Sequence, residues 1–344
     1  MTIVTVGIDL AKNVFAVHGV NAAGQPILVK PSVARAKLLE LIASLPPCTI
    51  GMEACSGAHH WARQFAALGH TIKLIAAHHV TPYRITGRRG KNDAADAAAI
   101  VETMSRPAMR YVPPKTLDQQ AVLTLHRMRQ GYVEEHTALI NRIRGLLSEF
   151  GHVLPIKCNN FSSQAAAFLE ELPHYANVAI GDALSDLHRI HERVLEYDRH
   201  LGKITRNDAN ASRLKGLAGV GDKTASAVVA MVGNASEFKS SRQFAAWLGL
   251  VPRQYSSGGK TRLGRITKAG DSYLRTLLIM GARAVLNNAK NRTDPVSTWA
   301  VALAARRGYS KALVAIAAKN ARMIWAALRQ GEAFVMPQQA ALAD

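Results

Sequence analysis

IVTVGIDLAKNVFAVHGVNAAGQPILVK, residues 3–30, is the stretch that decides the fold. Residues 3–9 are β-branched and apolar and end on an acid, Asp9, the pattern of a buried strand. FAVHGVN (15–21) reads as a second strand, Asn21-Ala22-Ala23-Gly24 as a turn, and QPILVK (25–30) as a third strand. Strands this close in sequence predict an antiparallel meander, followed by a helical stretch at 32–45. Further out, CTIGME (48–53) predicts a strand ending on Glu53, 57–68 a helix, TIKLIA (71–76) a strand, and the residues to about 104 a further helical region. The order βββαβαβα is that of an α/β, RNase H-like fold.

Pro107, Pro113 and Pro114 then break the chain. Residues 117–150 are strongly helical, with Leu139, Ile143, Leu146 and Phe150 at helical spacing, and a second long helix is expected over 180–207 after a less regular patch at 154–163. Two such helices predict either a coiled-coil-like hairpin, used for dimerisation or spacing, or a plain core pair. From near residue 211 a Gly-rich turn, a basic Gly-rich segment and helices to about 330 complete the chain. The expected domains are 1–108, 109–210 and a mostly α region at 211–344.

Charge narrows the partners. The chain has 43 Lys+Arg against 24 Asp+Glu, a net charge of +19, and a polyanion is the usual reason to carry such an excess. A membrane is the weaker candidate, since no run of roughly 18 apolar residues occurs. Cys48, Cys55 and Cys158 have no metal-ligand spacing and leave an odd number, which argues against disulfides or a zinc ribbon. With no signal-peptide pattern at residues 1–9, a cytoplasmic, nucleoid-associated protein is expected.

Four acids stand where chemistry is possible. Asp9 and Glu53 end strands that are neighbours in an RNase H-like sheet. Asp93 and Asp96 lie three apart in the Ala-rich KNDAADAAAI (91–100), so a helix puts both on one face. Four converging carboxylates repel unless a divalent cation neutralises them, and an oxygen-only set selects Mg²⁺ or Mn²⁺. Read singly, each acid serves equally as a turn residue or a cap, Asp93 especially. Glu102 is an alternative ligand or a solvated surface acid.

Residues 239–275 hold Lys239, Arg242, Arg253, Lys260, Arg262, Arg265, Lys268 and Arg275 against one acid, Asp271, a pattern for phosphate contact. A second cluster, Arg84, Arg88, Arg89 and Lys91, precedes the Asp93/Asp96 helix. GLAGVGDKTA (216–225) looks like a helix-hairpin-helix, with Gly219 and Gly221 allowing a tight turn and Lys223 at the next helix start, where amides bind phosphate without reading bases. His59, His60, His78 and His79 are adjacent pairs that point apart on a helix, so packing or surface roles are expected.

These motifs together resemble the IS110/IS1111-type transposases. The resemblance runs through GIDLAKN (7–13), GMEACS (51–56), KNDAADA (91–97), GLAGVGDKTA (216–225), the segment 244–275 and ALVAIAAKNARMIWAAL (312–328). It implies a RuvC-like domain whose Asp9, Glu53, Asp93 and Asp96 bind metal, joined to a C-terminal transposase domain with a serine nucleophile. In Ser256-Ser257-Gly258-Gly259 the matching position is Ser257, with Ser256 the fallback. The resemblance further implies donor and target DNA as substrates, an element-encoded guide RNA and a homo-oligomer, dimer or tetramer. The residues alone leave two alternatives open: a junction-resolving nuclease in which metal-activated water attacks, and a non-catalytic nucleic-acid-binding protein.

Overall fold

Residues 3–30 fold as the meander: β1 (Thr5–Asp9) pairs antiparallel with β2 (Val14–Val20), and β2 with β3 (Pro26–Ala34). This computed structural model describes residues 2–84, 93–107, 109–156 and 160–331. The Asn21 side chain builds the first turn, its Oδ1 accepting from the Ala23 and Gln25 amides at 3.0 and 2.9 Å. β3 runs past the expected 25–30 because its ladder continues to Val33 and Ala34, opposite Phe15 and Val14. Most of this edge strand is exposed, so no apolar alternation announces it.

The chain divides once, into compact units meeting at 116/117, where the sequence reading drew boundaries at 108/109 and 210/211. The first unit continues through α1 (Arg35–Ala43), β4 (Thr49–Glu53), α2 (Ala58–Ala67), β5 (Thr71–Ile75), α3 (Ala77–Val80), α4 (Asp93–Met104) and β6 (Tyr111–Val112). Its sheet has the order β3-β2-β1-β4-β5-β6, with β1, β4 and β5 parallel. β6, absent from the sequence reading, pairs antiparallel with β5 and is two residues long, too short for a periodic signal. One face of the sheet buries Val6, Ile8, Ile50, Met52 and Leu74 against Leu38 and Ile42 of α1 and Trp61, Ala62 and Phe65 of α2. α4 covers the other face, with Ile100 and Met104 beside Ile75 and Val80.

The second unit comprises α5 (Leu117–Ser148), α6 (Phe161–Ala166), α7 (His174–Asn207), α8 (Ala209–Leu214), α9 (Asp222–Val232), α10 (Ser241–Trp247), the hairpin β7 (Pro252–Ser257) and β8 (Lys260–Ile266), α11 (Ser272–Asn288), α12 (Pro295–Arg307) and α13 (Tyr309–Gln330). Asp208, Ser240, Asp271 and Asp294 cap α8, α10, α11 and α12 by accepting from amides of the first turn. The long helices α5 and α7 pack together through Ile143, Leu147, Ile180 and Leu187. The expected stripe is only half right: Leu146 and Phe150 stay 45% and 42% exposed, because Leu147 takes the inward position and Phe150 lies beyond the helix end. Both long helices pack on α9, which ties them to the core formed by α8 to α13. Among the described residues no helix is long and apolar enough to cross a membrane.

Candidate functional site

The acidic site is built by two glycines. β1 and β4 run in register, Gly7 beside Gly51 and Ile8 beside Met52, so one step further places Asp9 beside Glu53 at the strands' C-terminal ends. Side chains alternate along a strand, so both acids share the face of Gly7 and Gly51, the face under α4. A Cβ on Gly7 would lie 2.3 Å from the Ala97 carbonyl oxygen, and one on Gly51 2.3 Å from the Met104 sulfur. The missing side chains let α4 settle against the strands, and Asp96 then sits one residue before the Ala97 contact. Sequence reasoning missed this pair, although the repeated Gly-apolar-acid triplets, Gly7-Ile8-Asp9 and Gly51-Met52-Glu53, carried the signal.

Arg84 joins the acids. Its Nη2 donates to Glu53 Oε1 at 2.6 Å, and its Nε lies 3.1 Å from Asp96 Oδ1 as an ion pair without hydrogen-bond direction. Asp96 is buried, and a guanidinium is what lets two carboxylates approach there. Cys55, two residues past Glu53, has its thiol pushed up by desolvation and then by the charges of Glu53 and Asp9. Asp93 is the first residue of α4; its side chain lies outside the described residues, as do Arg88, Arg89 and Lys91 entirely. Glu102 points elsewhere and pairs with Arg106 on the surface. Of the histidines, His59 accepts from the Lys115 amide at 3.2 Å, a packing role, whereas His78 and His79, expected to point apart, have ring centres 4.1 Å from each other.

The serine pair lies on a hairpin, in what the sequence analysis read as a basic, Gly-rich segment without assigning strands. Ser257 stands opposite Lys260 across the two-residue turn Gly258-Gly259, whose φ values of 55° and 75° suit a turn that needs both residues left-handed. Ser256 and Ser257 point to opposite faces. Ser256 Oγ accepts from Gln254 Nε2 at 2.8 Å on its own face. Ser257 shares the other face with Tyr255, Lys260 and Arg262.

Comparison with known proteins decides the family. A family model described as "Transposase", for the DEDD domain of the IS110 group, matches residues 6–152, and one described as "Transposase IS116/IS110/IS902 family" matches residues 211–295. A "Probable family 20 transposase" of Pseudomonas aeruginosa is 45% identical over 336 residues, 95% of this chain and 97% of that protein. The "Transposase for insertion sequence element IS1111A" of Coxiella burnetii is 42% identical, covering 95% of this chain and 90% of its own length. That of element IS1328 in Yersinia enterocolitica is 37% identical over 96% and 98%. The chain belongs to the IS110/IS1111 family of transposases.

The family's DEDD domain implies dependence on a divalent metal. Asp9, Glu53 and Asp96 offer oxygen donors only, the kind such an ion takes. Among the described residues, no group of three or more His, Cys, Asp or Glu is drawn close enough to hold it; Glu53 and Asp96 are instead joined through Arg84.

In this family member the turn between α8 and α9 corrects one expectation. Gly219 is left-handed, φ 80°, and a Cβ there would lie 2.6 Å from the Gly281 carbonyl oxygen of α11. Gly221 has an ordinary φ of −95° and nothing within 4 Å of the Cβ position, so only Gly219 shapes the turn. The turn borders a cleft of about 780 Å³ lined also by Lys215, Lys223, Met280 and Arg292. Lys215 pairs with Asp222 at 2.8 Å, and Lys223 with Asp198 at 3.1 Å. Against the upward push of burial, Arg129 and Lys223 hold the Asp198 carboxyl below its usual value. In the basic run, Arg275 donates to the Leu248 and Ala269 carbonyls and braces the hairpin's base, while Lys268 adopts φ 55° there.

Proposed function

We propose that the chain cuts and rejoins the DNA of a mobile element, using a RuvC-type, RNase H-like N-terminal domain and a serine nucleophile. The strand order and the β1–β4 pairing support the domain assignment. One observation carries the reading: Glu53 and Asp96 meet at Arg84, at the strand ends where Asp9 stands beside Glu53. Mg²⁺, or Mn²⁺ in its place, held by Asp9, Glu53, Asp93 and Asp96, would supply positive charge against the phosphate and the attacking and leaving oxygens.

The Ser257 hydroxyl is the group that attacks phosphorus. Its proton passes to solvent, the bond from phosphorus to one sugar oxygen breaks, and that oxygen takes up a proton. One phosphoester replaces another, so the phosphoserine link retains what rejoining needs. This requires Ser257 to reach the carboxylates in the assembled complex, of its own or another copy. Ser257 rather than Ser256 is favoured by its face, which carries Lys260 and Arg262 against the charge that builds on phosphate oxygens.

Arg253, Lys260, Arg262, Arg265 and Lys268, with Arg88, Arg89 and Lys91, are assigned to DNA and RNA phosphates. The helix-hairpin-helix turn shaped by Gly219, with Gly221 and Lys223 at the start of α9, is assigned to one backbone phosphate. Arg84 reaches phosphate only by leaving its carboxylates. The same reading includes an element-encoded guide RNA, in keeping with the net charge of +19, a dimer or tetramer assembled through the α5–α7 hairpin as a coiled coil, and a place on the nucleoid in the cytoplasm.

The test is a covalent adduct. Denaturing gels of the chain incubated with element DNA and Mg²⁺ are expected to show protein-linked DNA, lost in Ser257→Ala and kept in Ser256→Ala. Asp9→Asn is expected to slow strand cleavage roughly 100- to 1000-fold, the usual cost of removing one electrostatic stabiliser. Cleavage by Ser257→Ala at the wild-type rate would transfer the nucleophile's role to water.

A further inference from the structure

We infer that the Ser257 face of the β7–β8 hairpin binds an unpaired stretch of the DNA strand to be cut, with Tyr255 stacking on a base beside the scissile phosphate. This rests on the reading of Ser257 as nucleophile. Tyr255 and Ser257 are two residues apart on β7, so their side chains leave the same face about 6.6 Å apart. Tyr255 is in register with Arg262 and Ser257 with Lys260, which puts an aromatic ring, a hydroxyl and two cations on one side of the ribbon. Residues 252–266 contain no acid.

Tyr255 is 60% exposed, an unusual position for a large ring that packing could have buried. Its ring edge, Cε2, lies 3.4 Å from where a Cβ on Gly264 would stand. The ring therefore reaches over a residue with no side chain and keeps most of its surface open. The hairpin's base is held by the Thr267 amide donating to Val251 and the Lys268 amide donating to Gly249, at 2.9 and 3.1 Å. An exposed aromatic flanked by cations is the arrangement that stacks unpaired bases while tracking a phosphate backbone. Paired bases in a duplex keep their faces against each other, so Tyr255 discriminates in favour of an opened strand. Opposite them, Gln254, Ser256, Thr261 and Leu263 carry no charge.

The experiment measures equilibrium binding of the full chain to a labelled single-stranded DNA, the matching duplex and the matching single-stranded RNA, each across the same series of salt concentrations. Tyr255→Ala is expected to weaken single-stranded DNA binding about 5- to 100-fold and duplex binding less than about twofold. Tyr255→Phe, which keeps the π-face, should bind like wild type. Because Tyr255→Ala also uncovers Gly264, Tyr255→Leu provides apolar cover without a π-system; it should bind as weakly as the alanine variant at an unchanged melting temperature. Arg262→Ala should weaken both DNA forms and lower the salt slope by about one. Equal losses on single strand and duplex, no loss on either, wild-type binding by Tyr255→Leu, or a loss confined to RNA would each overturn the proposal. A wrong nucleophile would show in the adduct test, as an adduct that survives Ser257→Ala, and would leave the Tyr255 binding result standing.

Discussion

At the scale of single residues, the acidic site depends on side chains that are missing as much as on those present. Gly7 meets backbone, the Ala97 carbonyl, whereas Gly51 meets first the mobile end of Met104. Gly7→Ala should therefore destabilise by about 1–3 kcal/mol and Gly51→Ala by less, as read by chemical denaturation. Arg84 offsets the repulsion between Glu53 and Asp96. In Arg84→Gln the melting temperature should fall in chelator and recover more on adding Mg²⁺ than in wild type; equal recovery would mean that the guanidinium and the metal do not share these carboxylates. His126 is a separate case. Buried between α5, α9 and α11, it contacts Tyr273 Oη at 2.9 Å and Ser226 Oγ at 3.1 Å. Since Ser226 Oγ donates to the Asp222 carbonyl, Nε2 carries the proton and Nδ1 accepts from Tyr273. Burial, then the Arg129 charge, lowers its pKa from 6.5 to about 4. The unfolded chain thus binds the extra proton first, and stability falls as pH drops from about 6.5 to about 4, by up to about 3 kcal/mol. Melts across that range should show the loss, and His126→Gln should flatten it.

At the scale of elements, the hairpin and the α8–α9 turn show why glycine-rich runs resist reading. Gly258-Gly259 is a good hairpin signal, but its flanks alternate polar with cationic residues, without the apolar face that usually marks strands. Within the turn at 216–221, Gly219 and Gly221 have different duties. Gly219→Ala meets both a left-handed φ and the Gly281 backbone, and should cost about 2 kcal/mol or more. Gly221→Ala meets no protein atom and should leave the melting temperature nearly unchanged. A several-fold loss of duplex DNA affinity in Gly221→Ala would then report a backbone approach to phosphate; unchanged affinity would remove Gly221 from the contact.

At the scale of the whole molecule, the two units have separate cores, so residues 117–344 expressed alone should keep a helical circular-dichroism spectrum and melt cooperatively. A non-cooperative melt would show that the second unit depends on the first. The meander, the acids that end β1 and β4, the helix that carries Asp93 and Asp96, and the basic excess were all legible in the order of residues alone. Each of these follows from local periodicity, turn chemistry or composition, which neighbours along the chain impose. Only the tertiary structure decided that Arg84 lies between Glu53 and Asp96, that Gly7 and Gly51 admit α4, and which serine faces the cations. Those outcomes depend on packing and strand register between segments distant in sequence, where one residue of slip reverses every side chain, and no local pattern records them.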